Sequence, residues 1–225
     1  SWTYQVLDPA GPVLTKRFPS PGLRLRSFSE VELTFNMPVV GLDAADLLLN
    51  GRPAIALEGI GAGPYRFRFD AATDGAATLR WVEGHGIVSD EPVAHPFLAS
   101  SWGYAVDHTT AVPAIRITEI LAENLSGRKD EDADPEDWIE LHNAGVDPVK
   151  LQGWSLSNDR DTPDQWTFPD VTLPPGERLV VWASGKDRLI SGKALHTNFK
   201  LNPSGDTLRL FGPELPRVVA DQVTY

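Results

Sequence analysis

The densest chemistry in this 225-residue chain is the run Asp130-Glu131-Asp132-Ala133-Asp134-Pro135-Glu136-Asp137, in which six of eight positions are carboxylates. Hard oxygen ligands at alternate positions suit calcium, which takes six to eight oxygens. Crowding that much negative charge without a cation is also costly on Coulomb grounds. The run is not an EF-hand, because Pro135 stands where loop position six needs glycine and Leu141 falls at position twelve. Two readings follow. In one, Asp130, Asp132, Asp134 and Asp137 bind calcium, with Glu119 or Asn124 nearby; in the other, the run is a solvated acidic loop that keeps the surface soluble. Magnesium fits less well, since it prefers few carboxylates and its own waters.

Other chemistry is thinner. Asn158-Asp159-Arg160-Asp161 with Asp164 reads as a turn, through side-chain to backbone bonds. Glu119 and Glu140 interrupt apolar strands and could in principle form a hydrolytic carboxylate pair, but edge-facing or hydrogen-bonded glutamates are the simpler reading. His85, His95, His108, His142 and His196 form no H-E-x-x-H motif and read as isolated surface or strand histidines. Gly59-Ile60-Gly61-Ala62-Gly63-Pro64 looks like a phosphate loop only superficially, with no helix or Lys-Ser/Thr after it, and reads as a hairpin turn. Ser184-Gly185-Lys186 lacks the upstream glycine of such a loop. No G-x-S-x-G nucleophile elbow is present. Asn124-Leu125-Ser126 fits a glycosylation sequon and is consistent with surface exposure. Seven tryptophans raise a glycan-stacking role, against which Trp138, Trp154, Trp166 and Trp182 sit beside apolar strand residues and read as core.

Composition bounds the rest. The length predicts two domains. With no cysteine, disulfides and thiol chemistry are excluded. A net charge of −11, from 20 basic and 31 acidic residues, argues against a nucleic-acid or anionic-membrane partner. No apolar run is long enough to cross a bilayer, so direct membrane insertion is not expected. The first thirty residues lack the features of a signal peptide, so the chain reads as a mature or excised segment.

The elements that position these groups are strands. Val31–Phe35, Tyr65–Phe69, Ala77–Trp81 and Trp138–His142 all alternate with period two. Leu179–Trp182 reads as a fully buried strand, and Leu208–Phe211 and Val218–Val219 follow. Ala44–Leu49 is the best helix candidate, at one or two turns. Asn50-Gly51 is the favoured pair for a tight hairpin. The polar, proline-containing stretch 107–114 reads as the domain boundary. Residues 1–113 carry 8 basic and 12 acidic groups (−4), and residues 114–225 carry 12 and 19 (−7). Ser1-Trp2-Thr3-Tyr4 echoes Ser101-Trp102-Gly103-Tyr104, so residues 1–5 are read as the last strand of a preceding repeat. The expected fold is all-β, as two tandem β-sandwich domains at 1–110 and 114–225, which the family resemblances below imply are immunoglobulin-like.

Several stretches of the second half carry a resemblance together. They are Ile117–Asn124, Asp137–Asn143, Val149–Ser157, Trp166–Pro169, Leu173–Gly176, Leu179–Lys186, His196–Leu201 and Gly205–Leu210. In this order and spacing residues 114–225 resemble a bacterial lamin-tail domain. The resemblance implies an immunoglobulin-like sandwich that serves attachment or interaction and often accompanies secreted or surface-attached enzymes. It places Glu119 and Glu140 within recurring motifs. Eukaryotic relatives in nuclear lamins contact proteins and chromatin, but this sequence lacks their basic patch, so contact with DNA is not carried over. The first half, through Glu32–Val39, Gly41–Leu47, Asn50-Gly51, Gly63–Phe67 and Trp102–Tyr104, resembles bacterial Ig-like repeats.

The function expected is a non-catalytic spacer or attachment module of a larger exported bacterial protein. Its expected place is extracellular or on the cell surface, with an unidentified protein or cell-surface partner, and the excised chain is expected to be a monomer. A calcium- or glycan-binding module is the alternative, and a carboxylate-dependent hydrolase is the third class.

Overall fold

Period-two alternation becomes sheet geometry directly. In the strand Glu30–Phe35, Val31, Leu33 and Phe35 are buried while Glu30, Glu32 and Thr34, which alternate with them, are half-exposed. In Tyr65–Arg68, Tyr65 and Phe67 turn inward, and outward-facing Arg66 and Arg68 pair across the sheet with Glu32 and Glu30. The computed structural model describes residues 11–225, so the echo at Ser1–Tyr4 lies outside the described residues. The chain divides into two compact units between Thr110 and Ala111.

The first unit has a four-stranded sheet in the order Leu14–Phe18, Glu30–Phe35, Tyr65–Arg68, Ala56–Glu58. A five-stranded sheet runs Arg24–Leu25, Trp102–Val106, Gly75–Trp81, Leu47–Leu49, Arg52–Pro53. Their apolar residues form one core, with Phe67 edge-on to Trp81 at 6.0 Å. Residues 44–49 are not a helix as a whole. Asp43 caps a single 3-10 turn, Ala44–Asp46, and Leu47–Leu49 is a fully buried strand paired with Gly75–Trp81. Asn50 (φ 49°) and Gly51 (φ 85°) then make the two-residue hairpin into Arg52–Pro53. That turn requires positive φ at both positions, so the turn chemistry ends the element before a helix can extend.

The second unit repeats the principle. One sheet orders Ile115–Leu121, Trp138–Asn143, Arg178–Trp182 and Leu195–His196. The other orders Trp166–Thr167, Ser155–Ser157, Thr207–Phe211 and Val219–Thr224. Ile115, Ile139, Leu141, Val181, Leu156, Leu208 and Leu210, all fully buried, lie in the core of this unit. Asp221 ties Val219–Thr224 to Ile115–Leu121, its Oδ2 accepting the amide of Ile117 at 2.8 Å. The strand Arg178–Trp182 is buried on both faces only at its C-terminal end, not throughout as its apolar run suggests. Leu179 and Val180 are half-exposed, and only Val181 and Trp182 are buried.

Candidate functional site

The acidic run lies in the connection between Ile115–Leu121 and Trp138–Asn143. Leu121 and Trp138 are the last cross-strand pair, so residues 122–137 form the loop between them. Three side chains fold the loop on itself. Asp137 Oδ1 accepts the amides of Glu123 and Asn124 at 2.8 and 2.9 Å, closing its two ends. Asn124 is buried; its Nδ2 donates to the carbonyls of Arg128 (2.6 Å) and Glu136 (2.9 Å), and its Oδ1 accepts from Gly127. Asp130 Oδ1 accepts the amides of Asp132 and Asp134 at 2.9 and 3.0 Å. This is a loop whose carboxylates and amide replace the missing ladder bonds.

The remaining carboxylates face cations of the chain itself. Lys186 Nζ stands 2.5 Å from Asp130 Oδ2, 2.8 Å from Asp134 Oδ2 and 2.9 Å from Asp132 Oδ2, with Glu136 at 3.9 Å. Arg188 bonds Glu131 at 2.7 Å and Asp132 at 2.5 Å. Lys200 reaches Glu136 at 3.1 Å. Burial works against ionisation of Asp130, yet the Lys186 ammonium and the amides of Asp134 and Asp132 outweigh it and hold the carboxyl below its ordinary range. The same balance lowers Glu131, where its own amide, Arg188 and His196 overcome burial. Arg188 and then Lys186 pull Asp132 down to about 2. Lys186 is raised in turn, because its three aspartate partners outweigh its own burial.

Beneath the loop lies an aromatic pair. Side chains alternate along Arg178–Trp182: Val181 pairs with Ile139 in the core, so Trp182, paired with Trp138, points to the opposite face. His196 sits beside Trp182 in the parallel neighbour and stacks on it at 6.4 Å. Trp182 is 5% exposed and His196 fully buried, although neither belongs to the sandwich core. The loop supplies cover: the Arg128 guanidinium lies over the Trp182 ring at 5.6 Å, and Glu131 meets His196. His196 Nε2 lies 3.0 Å from both Glu131 oxygens, and Nδ1 lies 2.8 Å from Ser184 Oγ. A carboxylate only accepts, so Nε2 carries the hydrogen. Serine, histidine and glutamate are the residue types of an activated nucleophile. Here Ser184 is buried and its Oγ also accepts the Lys186 amide, so the chain of bonds ties the loop to the sheet.

The structure therefore brings Asp130, Asp132 and Asp134 together and turns Asp137 away, toward the amides at the loop's base. Carboxylate oxygens of the first three lie within 4.8 Å of one another. Lys186, Arg188, Ser184 and His196 are not legible in the sequence as partners of the run. A signal exists in the alternation of Lys186 and Arg188, which matches that of Asp130 and Asp132. His196 is a buried, doubly bonded histidine rather than an isolated one. The sequon at Asn124 is likewise not a surface site, because its amide nitrogen is consumed by two carbonyls. Glu119 and Glu140 are neighbours across one sheet face, not opposed across a cleft, and Glu140 is engaged by Thr118 and Arg178. Asp159 makes the expected turn, accepting from the Asp161 amide and the Thr162 hydroxyl. The tryptophans among the described residues are buried, apart from half-exposed Trp138; Trp154 and Trp166 lie in the sandwich core as expected, but Trp138 and Trp182 lie outside it, paired on the opposite face of the sheet.

Among known families, the model described as Lamin Tail Domain matches residues 108–225. No curated protein and no solved structure matches the chain.

Proposed function

The chain belongs to the lamin tail domain family through residues 108–225, and from that premise we propose that it is a non-catalytic attachment or spacer module of a larger exported bacterial protein. The family's immunoglobulin-like fold supports a structural or interaction role. The observation that carries the reading is the fate of the reactive-looking groups. Asp130, Glu131, Asp132, Asp134 and Glu136 are engaged by Lys186, Arg188, His196 and Lys200, so the chemistry of the loop is spent on holding its own shape. In this reading residues 1–110 are a bacterial Ig-like repeat, and the site of action is extracellular or at the cell surface. The partner is a protein or other surface component, and the acidic charge disfavours nucleic acid.

A labelled chain incubated with bacterial cell envelopes tests attachment. Saturable retention, competed away by excess unlabelled chain, is the expected result. Retention that never saturates, or none, would remove attachment and leave the spacer role.

Calcium binding by the same loop is the second reading, favoured by the convergence of Asp130, Asp132 and Asp134. In that reading calcium displaces the Lys186 ammonium. The lysine-held form is the reading we prefer, because the positive charge the carboxylates need is already covalently present.

A further inference from the structure

We propose that residues 123–137 form a strap that lifts off Trp182 and His196 as one piece while the sandwich beneath stays folded, and that Lys186 is the group that holds it down. The proposal is independent of the attachment role.

The strap contributes no residue to the apolar core of the unit, and its one large apolar side chain, Leu125, is 77% exposed. Segments with few buried apolar contacts open at lower free energy than core strands. Its own integrity comes from within. Asn124, Asp130 and Asp137 bond to strap amides and carbonyls at both ends and in the middle, so the segment can move without unravelling. Its contacts with the sheet are of another kind. They are charge-assisted pairs to Lys186, Arg188, His196 and Lys200, the Arg128 guanidinium over Trp182, and a main-chain bond from the Ala183 amide to the Asp137 carbonyl at 2.8 Å. Lys186 touches three aspartates at once and is itself only 20% exposed, which makes it the central fastening. Under the strap lies a ready surface, the stacked indole of Trp182 and imidazole of His196, which faces away from the sandwich core. Lifting presents that aromatic pair to solvent without opening the core.

Hydrogen exchange on the full chain, read by mass spectrometry, tests this. In the wild type, peptides covering 123–137 should exchange at least about tenfold faster than those covering Trp138–Asn143 and Thr207–Phe211. In Lys186→Met the strap peptides should gain a further factor of about ten, together with the peptide containing Ala183, while both core strands keep their wild-type rates. Strap and core exchanging at one rate in the wild type would overturn the proposal. So would a Lys186→Met variant that accelerates both together, or one that leaves the strap unchanged. If that variant does not fold, the wild type in 1 M salt takes its place, where screening reaches about 3 Å. Selective acceleration of the strap then supports the proposal, and indifference of the strap to salt overturns it.

Discussion

The Lys186 ammonium lies 2.5 Å from a carboxylate oxygen of Asp130 whose side chain is fully buried. The two residues come from different connections of the second unit, and their meeting decides how the most acidic stretch of the chain is tolerated. Burying one charge beside its opposite is sustainable only when both are well bonded. Asp130 meets this condition with two amides on its other oxygen, and Lys186 meets it with two further aspartates.

That pairing predicts the response to calcium. Thermal unfolding in EDTA and in millimolar calcium should give the same midpoint. A site filled about a hundredfold above its Kd would add about 2.7 kcal/mol, so a clear upward shift, lost in Asp132→Asn with Asp134→Asn, would show that calcium displaces the lysine.

Acid should loosen the strap. Asp130, Glu131 and Asp132 all titrate lower in the folded chain than their ordinary values of 3.8 and 4.5. A depressed carboxyl contributes stability that is full above its unfolded value and is lost as pH falls through the folded one. The contribution is therefore constant at neutral pH and disappears from about pH 4 down to about 2, the value for Asp132. Tryptophan emission that changes over this window in the wild type, and changes less in Trp182→Phe, is the expected signal. Identical curves for the two proteins would place the transition elsewhere.

Replacing Asn124, itself buried, by alanine removes donors to the part-buried carbonyls of Arg128 and Glu136 and the acceptor for Gly127. Each hydrogen bond of this kind contributes about 0.5–1.5 kcal/mol, so losing them together costs about 1–3 kcal/mol. Urea unfolding should show a loss in this range, and Asn124→Asp should be no milder, since it sets a carboxylate against two carbonyl oxygens. A neutral outcome for both would mean that the loop is not organised by this side chain.

Leu141→Ala should be far more damaging to the fold than Lys186→Met. Leu141 is fully buried between its sheet neighbours, and such truncations cost about 2–5 kcal/mol. The lysine variant should lower the melting temperature by less, since a lifted strap returns Asp130 to water. An equal or larger fall for the lysine variant would make the strap part of the global cooperative unit.

In the hairpin at Asn50-Gly51, Gly51 has φ 85°, and a methyl placed on its Cα would meet no other heavy atom within 4 Å, so Gly51→Ala tests backbone strain alone. A loss of about 1–2 kcal/mol is expected from the left-handed conformation, read by chemical denaturation. No loss would mean that the turn relaxes to another type.

The strands of both units are legible in the sequence because one face of each is packed and the other wet. Val31, Leu33 and Phe35, or Ile139 and Leu141, announce this through period two. Leu47–Leu49 reads as helix because three consecutive buried leucines have no period at all, and only the following Asn-Gly pair marks them as a hairpin arm. The acidic run is visible as a cluster, but its counter-charges lie more than fifty positions away at Lys186 and Arg188. Pairings at that separation depend on which strands become neighbours, and local pattern does not carry that information. His196 and Trp182 are hidden for a related reason. Beside Leu179, Val180 and Val181 the sequence reads Trp182 as core, and nothing local indicates that it faces outward under a distant loop that returns to cover it.

The outward placement of Trp182 bears on how this unit avoids misassembly. Val181 and Trp182 are adjacent and serve opposite faces of one strand. A one-residue slip of the strand would exchange them, driving an indole into the sandwich and leaving a valine under the strap. The sandwich would reject the indole by volume. The strap would reject the valine by losing the ring beneath Arg128 and beside His196. Two independent surfaces thus proofread the same pairing, and a loop on the outside of the sheet helps to specify the alignment of strands within it.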